Sequence, residues 1–75
     1  KVLVALQVPA GADSRKTAFL AIGAAGALAP ATSKIIVEAR QESGKRTFTA
    51  SAGDVQELLE GKITEQEFEA RVSEN

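Results

Sequence analysis

The chain contains no cysteine, histidine, methionine, tryptophan or tyrosine. Without cysteine there is no disulfide framework and no thiolate metal site. Without histidine the commonest metal ligand and the usual general base at neutral pH are missing. Ser14, Ser33, Ser43, Ser51 and Ser73 therefore have no imidazole to activate them, and Lys16 is not at S-x-x-K spacing from Ser14. No catalytic residue, metal site or cofactor is expected, and the chain is read as non-enzymatic.

The aromatic content is three Phe, so stacking platforms for single-stranded nucleic acid are poorly supplied, and nucleic acid is not an expected partner. Charge of one sign is also lacking: nine Lys and Arg face ten Asp and Glu, a net charge of −1. The signs are unevenly placed, with bases in the first part of the chain and acids in the rest. Such asymmetry favours head-to-tail or antiparallel self-association. At 75 residues a single core contributes roughly 3–5 kcal/mol, and oligomerisation is the reinforcement this composition leaves open.

A long hydrophobic run is missing as well. The most apolar stretch is "TAFLAIGAAGALAP", residues 17–30, whereas a spanning helix needs about 20 apolar residues. "SRK", "AFLAIGAAGALA" and "APA" imitate the three parts of an export signal. They follow "KVLVALQV", however, which puts Val2, Val4, Leu6 and Val8 on one face of a strand and Leu3 and Ala5 on the other. The run is therefore read as a buried helix, with no membrane span, and a soluble location in the cytoplasm or inside a virion or similar assembly is favoured. Pro9 stops the strand, Asp13 or Ser14 caps the helix, and Pro30 ends it. Gly23 and Gly26 lower its propensity by roughly 1 kcal/mol each against Ala, which implies that something approaches the backbone closely there.

"SKIIVEARQ" alternates Ile35, Val37 and Ala39 with Ile36, Glu38 and Arg40, and "KRTFTA" answers it with Phe48 facing inward. Gly44 between them suits a hairpin. Ser51 and Asp54 have the spacing of an S-x-x-D capping box that starts a short helix with Val55, Leu58 and Leu59 on one side and Gly61 at its end. In "ITEQEFEARV" Thr64 is an N-cap, Glu67 its reciprocal partner, and Ile63 and Phe68 a hydrophobic staple. That last helix is too short to stand alone and must dock through Phe68 and Val72. The expected fold is α+β, a three-stranded sheet with helices on one face in the order β-α-β-β-α-α. Residues 1–61 form the core domain and 62–75 a docking helix. Where the first strand joins is not readable, and its apolar edge needs cover that another copy could supply.

Glu65, Glu67 and Glu69 read as a solvated helix face. "GADSRK" could hold an anion at a helix start through Arg15 and Lys16. The cluster Lys34, Lys45 and Arg46 surrounds the hairpin and could touch phosphates or an acidic surface, and a weak anion or nucleic-acid binder using Arg15, Lys16, Lys45 and Arg46 is the remaining alternative, though nucleic acid is the less expected partner.

"VPAGADSRKTA" resembles the active-site loop of HPr, the phosphocarrier family of sugar phosphotransferase systems, with Pro9, Gly11, Arg15 and Ala18 at matching positions and Asp13 where the phospho-accepting histidine stands. "TSKIIV" is similar to that family's second strand. Ser51, seven residues after Gly44, falls where some members carry a regulatory phosphoserine. The resemblance covers residues 1–60 and implies a regulatory role without a phospho-histidine, with Asp13, Arg15, Lys16 and Ser51 as anion or regulatory positions. Residues 35–59, with "FTAS" and "DVQELL", resemble the hairpin and second helix of gpW-like phage head-completion proteins, which implies a virion assembly part. "LLEGKITEQEFEARV" is similar to a short C-terminal motif of oligomeric bacterial proteins. The leading expectation is a protein–protein interaction or assembly module that self-associates or packs into a larger complex. Its expected contacts are Phe19, Ile22, Gly23 and Gly26 with Ile63, Phe68 and Val72.

Overall fold

The computed structural model describes residues 1–42 and 44–74; Ser43, in the expected hairpin turn, lies outside them. The chain runs β1 (Val2–Gln7), α1 (Ser14–Leu28), β2 (Lys34–Gln41), β3 (Gly44–Ser51), α2 (Ala52–Leu59), α3 (Glu65–Arg71) and β4 (Ser73–Glu74). The fold is α+β, and its sheet has four strands among the described residues, one more than expected, in the order β1-β2-β3-β4.

The additional strand is β4, antiparallel to β3 with Ser73 opposite Thr49 and Glu74 opposite Phe48. Two exposed polar residues carry no hydrophobic period, so the pattern that marks the other strands is missing here. Tertiary contacts hold it instead: Glu74 lies 3.1 Å from Arg46 and 3.7 Å from Arg15. The first strand joins β2 in parallel, Val2 opposite Ile35 through Gln7 opposite Arg40. Parallel neighbours need a crossover, and α1 supplies it. The hairpin of β2 and β3 is antiparallel, with Val37 opposite Phe48.

Alternation then sorts the side chains. Ile35, Val37, Ala39, Phe48 and Ala50 face the helices and are buried, and Ile22 of α1 and Val55 of α2 meet them. α1 packs chiefly over β2, while α2 packs against α1 and β3. The two helices cross at Gly26, where a Cβ would fall 2.6–2.8 Å from the Val55 side chain. Gln56 donates to the carbonyls of Gly26 (3.3 Å) and Ala29 (2.8 Å), satisfying acceptors that the end of α1 leaves open. Gln41 ties the loop before α1 to the sheet by donating to the carbonyls of Pro9 and Ala12.

The caps follow local chemistry with one departure. Asp13, not Ser14, is the N-cap of α1, and its carboxylate accepts from the N–H groups of Arg15 and Lys16. Thr64 and Glu67 form the full capping box of α3. Ser51 caps α2 by accepting from the Gly53 N–H, but Asp54 does not complete a box; it is drawn 3.0 Å from Arg71, where it secures α3 to α2.

Candidate functional site

Helix α1 approaches α2 closely at Gly26, where the Val55 side chain lies against the backbone. Residues of α1, α2 and α3 also line a groove of about 580 Å³. Phe19, Leu20 and Gly23 form one wall, Leu58 and Leu59 the second, and Phe68 closes the third side. The lining is mainly apolar, and its rim carries Arg15 and Lys16 from α1 with Glu65 and Glu69 from α3.

Phe19 sets the depth of the groove. Its ring stands edge-to-face against Phe48 at 6.1 Å and against Phe68 at 5.9 Å, a geometry that aromatic quadrupoles favour. The Arg15 guanidinium lies over the same ring at 5.2 Å and reaches Glu69 at 3.4 Å. Those contacts leave the sides of Leu20 and Leu59 uncovered, 69% and 64% exposed. At Gly23 a Cβ would meet no atom within 4 Å. Of the two glycines of α1, one is therefore required by the protein's own packing, while the other opens onto unfilled space.

The expected contact residues divide accordingly. Phe19, Gly23 and Phe68 come together at the groove. Ile22 and Gly26 do not: Ile22 is fully buried in the core and Gly26 is covered by Val55, so neither has surface to offer a partner. Ile63 is likewise buried, and Phe68 shows the groove only a small part of its ring. Val72 is half-buried against the core, away from the groove lining. Leu20, Leu58 and Leu59 were not among the expected contacts. Leu20 and Gly23 are three residues apart, a spacing that places them on one helix face, but periodicity alone does not say which face of a largely apolar helix is left bare.

Of the anion and regulatory positions, Asp13, Arg15 and Lys16 lie together at the start of α1 in the groove lining, whereas Ser51 starts α2 and is not part of that lining. The side-chain oxygens of Asp13 and Ser51 are engaged as N-caps of different helices. Arg15 is paired with Glu69 and Glu74, and Lys45 lies 3.4 Å from Glu38. Among the described ion pairs Lys16 and Glu65 take no part. The Glu67 carboxyl is held below the ordinary carboxylate value by the Thr64 backbone N–H and then by the Thr64 hydroxyl. The groove thus presents apolar surface with charges of both signs at its rim, Arg15 paired with Glu69 and Lys16 and Glu65 outside the described ion pairs. No helix of the described residues is long and apolar enough to cross a membrane. No family model, curated protein or solved structure matches the chain.

Proposed function

We propose that this protein is a non-enzymatic interaction module that self-associates or packs into a larger assembly, and that the groove between α1, α2 and α3 is a contact surface. The observation that carries the reading is Gly23: a helix interior that accepts glycine's propensity penalty, facing open space, between two leucines left exposed. A small apolar-walled recess of this kind receives side chains from a partner and excludes water from them. Its rim offers both signs of charge, Arg15 and Lys16 opposite Glu65 and Glu69, which an identical copy can match.

The test is mass in solution by light scattering over a wide concentration range, for the wild type and for Gly23→Leu. The wild type is expected to gain mass with concentration. Gly23→Leu fills the recess from within and is expected to lower that mass while the far-UV spectrum keeps its shape and the thermal midpoint does not fall, the gain in helix propensity over glycine acting to raise it. A wild type that keeps the mass of one chain throughout would refute self-association. Unchanged association in Gly23→Leu would remove the groove as its surface.

A further inference from the structure

β1 is an outer strand of the sheet, and among the described residues nothing pairs with its far edge. Its sequence, Val-Leu-Val-Ala-Leu-Gln, has no charge and no proline, and its ladder with β2 runs from Val2 to Gln7 without a bulge. Those are the devices by which exposed edges ordinarily avoid pairing with other chains. The side chains are also incompletely covered. Val2, Val4 and Leu6 face the helix side yet remain half-exposed, because α1 lies mainly over β2. Leu3 on the opposite face is 62% exposed.

The Val8 N–H donates to the Arg40 carbonyl at 2.7 Å, toward β2. Successive residues of a strand point their N–H and C=O to alternate sides, so Leu3, Ala5 and Gln7 turn theirs outward. An incoming antiparallel strand must meet these odd-numbered residues with its own outward-pointing groups. If that strand is a second β1, odd residues oppose odd ones and even oppose even, so side chains of like facing meet. The helices of both copies then lie on the same side of one continuous sheet.

From this we infer that β1 pairs antiparallel with β1 of a second copy about a two-fold axis through Val4. In that register Val4 opposes its own equivalent, Val2 opposes Leu6, and Leu3 opposes Ala5, so apolar faces apolar on both sides of the sheet. Lys1 opposes Gln7, and no like charges meet. The edge is self-complementary in hydrogen bonding, in facing and in charge, which singles out a second copy as its occupant. Helical spacing adds a second contact. Because α2 occupies the β3 side of α1, the other flank, with Thr17, Ala21, Ala24 and Leu28, overlooks β1 and turns toward the same flank of the partner. Leu28 on that flank is 91% exposed. The contact is smaller than the roughly 800 Å² per partner of a standard interface, so a weak dimer is expected that fills at high protein concentration.

This inference rests on the self-association reading but does not use the groove. Single cysteines test it cleanly, since the chain has none of its own. Val4→Cys is expected to form a symmetric disulfide under mild oxidation, because opposed residues of a non-hydrogen-bonded pair sit about 4.5 Å apart at Cα. Thr47→Cys, on the half-buried outer part of β3, serves as the control and is expected to cross-link far less. Ala5→Pro removes an outward N–H without touching the ladder to β2, and is expected to raise the dimer dissociation constant by roughly tenfold or more. Ala5→Lys keeps the backbone intact and is expected to act the same way through charge at the edge, covering the case in which the proline variant does not fold. Cross-linking at Val4 that persists in Gly23→Leu would hold the edge contact while the groove contact is lost. No cross-link at Val4, or full association in folded Ala5→Lys, would overturn the pairing.

Discussion

Gly23 and Gly26 are one helical turn apart in α1 and are read alike from sequence, but the structure gives them opposite consequences. At Gly26 a methyl group would press on the branched Val55 side chain, so Gly26→Ala is expected to destabilise by about 1–3 kcal/mol through overpacking, with part recovered when Val55→Ala makes room. At Gly23 a methyl group meets nothing, and Gly23→Ala is expected to gain up to about 1 kcal/mol of helix propensity. Urea titration of both variants checks the pair; equal losses would mean that the two sites are packed alike. Glu67 supplies a pH-dependent contribution. Its carboxyl sits below the ordinary value because the charged form accepts from the Thr64 N–H, then from the hydroxyl interaction. A lowered folded pKa means that this stabilisation is fully present above the unfolded glutamate value of about 4.3 and is lost as pH falls through the lower folded value. Glu67→Gln keeps a hydrogen-bonding cap but cannot titrate, so the stability difference between wild type and variant is expected to shrink on acidification through that window. A difference that stays flat in thermal melts from pH 6 to about pH 3 would contradict the assignment.

At the scale of elements, the sequence was most legible where chemistry is local. The Thr64 box, the β2–β3 alternation and the Pro30 stop are decided by neighbours within a few residues, and each appears in the structure as read. The Ser51–Asp54 box was misread because Arg71, seventeen residues on, competes for the Asp54 carboxylate. The short β4 was invisible because its stability comes from Arg15, Arg46 and the β3 edge rather than from its own side chains. Helix α3 illustrates the balance between local and distant terms. Thr64→Ala removes the cap and is expected to cost about 0.5–2 kcal/mol. Phe68→Ala removes a buried ring packed edge-to-face on Phe19 and is expected to cost about 3–5 kcal/mol, enough to release α3 and β4 together. Hydrogen exchange of the α3 amides distinguishes them. A larger effect from Thr64→Ala would show that the cap, not docking, holds the helix.

For the whole molecule, two separate contact surfaces have different consequences from one. A two-fold contact along β1 alone closes as a dimer, whereas a groove contact added to it leaves each dimer able to recruit more copies. Wild-type mass is therefore expected to rise past that of a dimer with concentration, with Gly23→Leu arrested at the dimer; light scattering of the two side by side reads this directly, and a wild type that saturates at two chains would leave only one surface in use. Composition and pattern by themselves determined the α+β class, the helices on one face of the sheet, the hairpin and the caps, because alternation, period and capping are properties of short segments. The candidate site was only partly legible: Phe19, Gly23 and Phe68 were named, but so were Ile22, Gly26 and Ile63, which the core absorbs. Tertiary structure alone decided which glycine is covered, which leucines stay bare, that β1 lies parallel to β2, and that β1 keeps an open edge. The physical reason is that a largely apolar helix and a strand apolar on both faces up to Gln7 satisfy burial equally well in several orientations. The choice among them comes from contacts such as Val55 on Gly26 and Gln56 on the end of α1, made between residues some thirty positions apart.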